Sequence, residues 1–417
     1  MTTSAAAVLE PVHDLGRLIE SRFRRADYDE HRFPSLAGEA LAESGIPGRI
    51  DPWEVLRAFH QAEPMPEQRD VEARFSDLPV TLYNGHGFYI DAYFWLDGTT
   101  EIHQHAFAGA FQVWAGSSLH SRYTFARERE INPHFLIGRL DLDDVEILEQ
   151  GAIRPIVPGS TAIHSLFHLD RPSITLTVRT LHTPTAAPQY AYLKPSLAVN
   201  PFYRDAALSR KTQTLSLLLR MRRPDADPRI RELLAESDFA TAFRLIETAS
   251  QTLSEGGLRR ALGLGSDLDR IEGLLEAARL RHGALVDLVP PVIAERRRQT
   301  EIAHRRATVT SEEHRFLLAL LLNVSERTRL LRLVGARYPG RDPVETVVDW
   351  VEELGVTRVL GADENVLGLR GWDDDHVLVF EGLLRGMGER EIEAPLKSRV
   401  SEIAGKLRGA TLFRATF

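Results

Sequence analysis

The sequence predicts an α+β protein in which a small antiparallel β-sandwich or barrel lies between N-terminal helices and an all-helical C-terminal half. Three observations predict it. Aromatic and β-branched runs, separated by Asn-Gly, Asp-Gly and Ala-Gly turn signals, crowd into residues 78–180 with no helical interruption. Apolar residues at three- and four-residue spacing resume only after Pro188 and Pro195. A chain of 417 residues with a hydrophobic fraction of 43% holds more apolar surface than one ordinary core organises. By texture the chain divides into residues 1–76, a helical segment packing on the β region; 77–200, the β region; and 201–417, the helical domain.

The first helix is predicted over Val12 to Tyr28. The next begins at Asp51-Pro52, an N-cap residue followed by proline at the first helical position. Strands are predicted at Val80–Tyr83, Gly87–Leu96, Glu101–His105, Phe107–Ala115, Ser117–Phe125, Phe135–Leu142, Val145–Leu148, Ala152–Val157, Ala162–Phe167 and Ser173–Thr180. Helices then run from Ala206 to Glu389, with Ser311, Ser325 and Asp342 as predicted N-caps. Gly263-Leu-Gly265-Ser266 reads as a linker or turn, since no strand precedes it.

Composition excludes several classes. Without cysteine there are no disulfides, thiolate ligands, iron–sulfur clusters or cysteine nucleophile, so any transition metal must be held by nitrogen and oxygen. A net charge of −8 gives no general attraction to nucleic acid or anionic lipid, and Arg296-Arg-Arg with Arg305-Arg306 reads as helix-end cations. No run of about 18 apolar residues suggests a membrane span. The first ten residues lack a basic n-region, so the expected location is the cytoplasm.

Chemistry concentrates in two stretches. In Gly98-Thr-Thr-Glu101-Ile-His103-Gln-His105-Ala-Phe-Ala-Gly109, alternate side chains of a strand share a face, so His103 and His105 point the same way and are placed to grip one ion. In Gly151 to His168, a Pro158-Gly159 turn feeds a strand carrying His164, which supplies a third imidazole. His168, four residues on, is read as a fourth ligand or a hydrogen-bonding support to the ligands. Glu101 shares the face of His103 and His105 and either orients a ring, ligates directly or is a solvated strand-end carboxylate. Arg179 ends the alternation Thr175, Thr177, Arg179 and is read as holding a substrate carboxylate bidentately or as a surface salt bridge. Thr177, Tyr93 and Trp95 are candidate pocket residues, while Tyr123 and His120 are weighed as acid/base groups.

At these residues the sequence resembles the cupin superfamily, small double-stranded β-helix barrels. Their first motif is a glycine, His-x-His, a carboxylate and a closing glycine, and their second is a Pro and Gly turn followed by a third histidine. Here the first runs Gly98, His103, His105, Gly109, Gly116 and the second Gly151, Pro158, Gly159, His164, over roughly residues 78 to 195. The position of the ligand glutamate is Gly109, with Gln112 as a poor substitute three residues on. The remaining set resembles the three-histidine variant found in thiol and some diketone-cleaving dioxygenases, without the Ser-His-Tyr series of cysteine dioxygenase.

Three neutral imidazoles suit Fe(II), the expected cofactor, or another first-row divalent metal, and they leave open positions for substrate and dioxygen or water. With no negative ligand, the ion keeps its charge and favours a small anionic molecule. The resemblance thus implies a mononuclear non-haem iron oxygenase, with Arg179 or Gln112 orienting substrate and no other catalytic residue assigned. The alternatives are a metal-dependent isomerase, lyase or hydrolase without dioxygen, and a non-enzymatic ligand sensor. The helical half is expected to cover the barrel mouth, recognise a larger substrate or form a homodimer interface.

Overall fold

Four helices open the chain: α1 (Ala5–Arg25), α2 (Phe33–Ser44), α3 (Ile46–Arg49) and α4 (Pro52–Gln61). Asp51 caps α4 by accepting from Trp53 N at 2.9 Å, as its place before proline predicts. Gly45, at φ 59°, ends α2 in the left-handed region that a side chain rarely adopts. In α1, Val8, Val12, Leu15, Ile19 and Phe23 recur at helical spacing and are buried together.

The computed structural model describes all residues except 1–4, 70, 72–74, 97–99, 184–185, 187, 222–224, 255–267, 359–362, 397–398, 414–415 and 417. Gly98 of the first motif and the glycines of the Gly263–Ser266 turn lie outside the described residues.

Among the described residues eleven strands follow: β1 (Leu78–Asn84), β2 (Phe88–Trp95), β3 (Ile102–His103), β4 (Gly109–Ala115), β5 (Ser118–Asn132), β6 (Phe135–Leu148), β7 (Ile153–Ile156), β8 (Ile163–His168), β9 (Ser173–Thr180), β10 (Ala191–Leu193) and β11 (Leu197–Val199). One antiparallel sheet has the order β1-β2-β9-β4-β7, and the second, barrel-like sheet has the order β10-β11-β6-β5-β8-β3. The predicted strands at Phe135–Leu142 and Val145–Leu148 are one continuous β6. The first motif forms less strand than predicted: after β3, His105 makes only an isolated bridge to Pro158.

Among the described residues the remaining helices are α5 (Ala206–Met221), α6 (Ala226–Glu236), α7 (Phe239–Ser254), α8 (Leu268–His282), α9 (Val289–Thr308), α10 (Glu312–Asn323), α11 (Arg327–Arg337), α12 (Pro343–Val356), α13 (Asp374–Arg385), α14 (Glu389–Leu396) and α15 (Val400–Gly409). Ser311 and Asp342 cap α10 and α12 through side-chain bonds to their first-turn amides. Ser325 does not cap α11, which starts two residues later behind Glu326 with no side-chain cap bond. Among the described residues no helix is long and apolar enough to cross a membrane. The predicted fold class holds: N-terminal helices, antiparallel sheets with barrel-like closure, and a helical C-terminal region.

The chain divides into two units. The first comprises residues 1–124, 142–187 and 298–417, and the second 125–141 and 188–297. In the first unit, the period-2 alternation of the five-stranded sheet sorts its side chains into two faces. Phe88, Ile90, Ala92 and Phe94 of β2 join Ile174, Leu176 and Val178 of β9 and Trp114 of β4 in a core with the buried face of α1, α2 and α4. The opposite face carries Tyr89, Asp91, Tyr93 and Trp95 beside Arg179, Thr177, Thr175 and Ser173 in register. The other strands of this unit repeat the sorting: Leu119 of β5, Val145 of β6 and Phe167 of β8 pack outward into a core with α10 to α13, while Leu148 and Leu166 pack with Phe107 and Phe111 on the inner side. In the second unit, Phe135, Ile137, Leu193, Leu197 and Val199 form a core with α5 to α8.

Candidate metal centre

Strand pairing brings the two histidine motifs together. β3 and β8 pair antiparallel with His103 opposite His164, and the His105 bridge to Pro158 holds the second imidazole beside the turn that leads into β8. One nitrogen from each of His103, His105 and His164 lies within 4.8 Å of the others, and all three rings are buried. The Nε2 atoms of His105 and His164 are 2.8 Å apart.

Hydrogen bonds decide which way the lone pairs point. The Nδ1 of His103 lies 2.7 Å from the backbone oxygen of Glu101; a carbonyl only accepts, so Nδ1 carries the proton and Nε2 is left bare. That Nε2 and the Nδ1 of His105 are buried with no hydrogen-bond partner. Buried polar atoms are otherwise almost always paired, so the bare Nε2 of His103, in a converging set of three imidazoles, suits a bound cation. Burial pushes the affinities of all three rings for protons down, well down for His105 and His164. The neighbouring imidazoles add to this, and at His105 so does the charge of Arg179. The rings are therefore neutral near pH 7, the form that donates to a metal. These residues fit a first-row divalent ion.

The other predicted residues separate into those near the cluster and those elsewhere. Glu101 orients His103, through its backbone oxygen rather than its carboxylate. His168 is not a member of the cluster: its ring stacks on Trp95 at 4.3 Å and 16°, and its Nδ1 meets Ser118 Oγ at 3.0 Å. Burial, then the charge of Arg306, pushes its pKa down to about 3. Gln112 shares the parity of Ala110 and Trp114 on β4, away from Phe111, and bonds to Gly151 O at 3.2 Å; it is not brought to the cluster. Tyr93, Trp95 and His103 are linked by the ring of Phe75, at 5.4, 5.2 and 6.3 Å. Tyr93 donates to Asp91 Oδ2 at 2.7 Å, and burial, with the Asp91 charge, raises the phenol well above its usual range. Thr177 is buried opposite Asp91 on one side and Phe111 on the other.

Arg179 lies opposite Gly109, and its guanidinium sits over the Phe107 ring at 3.4 Å, with the His105 ring 4.6 Å from that same ring. Among the described residues, its one side-chain hydrogen bond is a long 3.5 Å contact to Thr180 O and no carboxylate forms an ion pair with it. A cation is thus held by stacking rather than by neutralisation. Gly109 cannot carry the carboxylate expected of the resembled motif. A Cβ there would sit 2.2 Å from Val178 O and 3.0 Å from Arg179 Cα, because β4 and β9 approach closely at that point.

Sequence reasoning gave Glu146 and Arg154 no role and weighed His120 only as an acid/base group. His120 lies 3.0 Å from His164 Nδ1 on one side and 3.0 Å from Glu146 Oε1 on the other. The signal was the alternation Ser118, His120 on β5, but it is readable only once β5 is known to pair with β8.

No family model matches the chain, and no curated protein matches it. Among solved structures, the chain matches a hydroquinone 1,2-dioxygenase, PnpCD, bound to Cd2+ and 4-hydroxybenzonitrile, with 11% identity over 24% of this chain and a TM-score of 0.18; the match spans 61% of the length of that structure. It also matches the DMSP lyase DddQ from Ruegeria pomeroyi (18% identity, 37% of this chain and 75% of that one, TM-score 0.22) and a cupin 2 domain-containing protein from Halorhodospira halophila (17%, 34% and 85%, TM-score 0.19). Of these three, the Halorhodospira protein is the one described by a cupin domain; independently of these matches, this chain carries a three-histidine cluster in its own β region.

Proposed function

We propose that the protein is a mononuclear metal-dependent enzyme acting on a small anionic molecule, with Fe(II) as the metal and dioxygen as co-substrate. The observation that supports it is the pairing of three buried neutral imidazoles with a guanidinium one ring away that meets no carboxylate among the described residues. His103, His105 and His164 would hold the ion, which would supply Lewis-acid and redox chemistry toward substrate and dioxygen. Arg179, already ordered on Phe107, offers two parallel N–H donors to a substrate carboxylate and fixes its orientation. Trp95, Phe107 and Phe111 exclude water from the same space.

A lyase or isomerase that uses no dioxygen is the second reading, favoured by the Tyr93–Asp91 pair. There the Asp91 carboxylate accepts from the phenol at 2.7 Å on the same sheet face as Arg179, and it is the group that would take a proton from substrate. Metal analysis with an oxygen electrode separates the two. Iron at one per chain with substrate-dependent uptake supports the oxygenase; turnover at an equal rate under anaerobic conditions rejects it in favour of the second reading.

A further inference from the structure

One residue from each of four strands joins a continuous hydrogen-bonded chain that ends at the cluster. Arg154 of β7 grips Glu146 of β6, with Nε 2.9 Å from Oε1 and Nη2 on Oε2. Glu146 Oε1 also meets Nδ1 of His120 on β5 at 3.0 Å, and His120 Nε2 meets Nδ1 of His164 on β8 at 3.0 Å. All four residues belong to the first unit.

Protons can be placed along this chain from chemistry alone. His120 and Arg154 hold the Glu146 carboxyl well below the usual carboxylate range, so it is ionised and only accepts. Nδ1 of His120 is therefore the donor, and in the neutral ring its Nε2 must accept. The proton between the two histidines consequently sits on His164 Nδ1, which leaves Nε2 of His164 as a lone pair directed at the cluster. Phe111, opposite Arg154 in register, packs edge-on to His120 at 6.1 Å and lies 6.2 Å from His164. It screens the bond between the two histidines from water, and His120 itself is only 4% exposed.

We propose that Glu146 and His120 are positioning residues for the metal: they fix the tautomer and ring plane of His164, so metal affinity depends on two side chains that never touch the ion. The inference rests on the metal-site reading. It concerns His164, since His103 is oriented instead by a backbone oxygen.

The test uses the full-length protein stripped with a chelator and titrated with Co(II) against a chromophoric competitor, following the visible d–d absorption. Wild type is expected to take one Co(II) per chain. His120→Leu removes the acceptor for His164 Nδ1 and is expected to weaken Co(II) binding roughly 10- to 100-fold and shift the d–d band, as loss of supporting partners does at other sites. His120→Gln, whose amide oxygen can accept from His164, is expected to recover most of that affinity. Glu146→Gln keeps an acceptor without its charge and is expected to fall between the two. Thermal midpoints of the metal-free variants show whether each folds. Wild-type affinity and spectrum in His120→Leu, with binding lost in His164→Ala, overturn the relay and leave the metal site standing. Co(II) retained by both His103→Ala and His164→Ala overturns the metal site itself. If His120→Leu does not fold, Glu146→Gln decides: an unchanged affinity and spectrum overturn the proposal.

Discussion

Replacing Gly109 with alanine tests whether the missing carboxylate of this site reflects geometry. The Cβ would stand 2.2 Å from Val178 O, where ordinary contact begins at 3.4 Å, so β4 and β9 must separate by more than 1 Å. Neither obstructing atom is the movable end of a side chain; both are backbone of β9, which is paired on its other edge to β2. The adjacent bonds cannot survive that shift. Thr180 N to Ala108 O at 2.8 Å and Ala108 N to Thr180 Oγ1 at 3.0 Å would both stretch past hydrogen-bonding range. Stranding two buried pairs costs about 1–3 kcal/mol each, so Gly109→Ala should destabilise by about 2–6 kcal/mol. Urea unfolding followed by tryptophan fluorescence reads this as a lower midpoint at constant m. Gly109→Glu should be no more stable than the alanine variant and should not raise metal affinity. An alanine variant within about 0.5 kcal/mol of wild type would refute the argument, and tighter metal binding by the glutamate variant would show that the position can supply a ligand.

Other expectations follow from the site. His103→Ala and His164→Ala should each drop bound metal to below about a tenth of an equivalent by elemental analysis, and stripping wild type with a chelator should lower its thermal midpoint, since an ion at about 100 times its Kd contributes about 2.7 kcal/mol. Arg179→Leu should lower kcat/KM for an anionic substrate roughly 10- to 100-fold, the worth of a charged hydrogen bond, with Arg179→Lys intermediate; an unchanged kcat/KM would remove Arg179 from the substrate site. His168 carries the pH prediction. Its folded pKa, down to about 3, lies below its unfolded value, so at acid pH only the unfolded chain takes up the proton and stability falls as pH falls below about 6.5. Between pH 7 and pH 5 this amounts to roughly 2 kcal/mol. His168→Phe, which keeps a ring on Trp95, should flatten the pH dependence of the urea midpoint by that amount; parallel profiles for the two proteins would count against the buried neutral state.

The parts of this site that were legible from sequence are those governed by local rules. His103 and His105 share a face because strand alternation requires it, even though the strand proved only two residues long with a bridge at His105. Proline and aspartate placed α4 and α12 through capping that operates within one turn. Gln112 failed on the same rule that succeeded for the histidines: counted by period two from Phe111 it belongs to the other face, and only its nearness in sequence had suggested it. The relay through His120 was illegible because it depends on the mutual register of β5, β6, β7 and β8, four strands whose pairing no single stretch encodes. Nor did helical periodicity say what each helix would cover. α5 to α8 and α10 to α13 have the same texture, yet the former pack with Phe135 and Val199 and the latter with Leu119 and Phe167.

The first unit is discontinuous along the chain, and this bears on how the protein is made. Every histidine of the cluster has appeared by residue 164, but the outer side of β5 and β8 is covered by helical residues that follow residue 298. Arg306 bonds from α9 to the backbone oxygens of His168 and Leu169, and Arg337 of α11 reaches Ser117 and Asp170. A chain still emerging from the ribosome would hold its three imidazoles while Leu119, Val145 and Phe167 remained open to water, a state in which exposed apolar strands invite association. Metal captured at that stage would bind strands not yet braced from behind. The final third of the polypeptide would therefore set the moment at which the centre becomes rigid, and a fragment ending near residue 200 would be expected to aggregate rather than serve as a minimal enzyme.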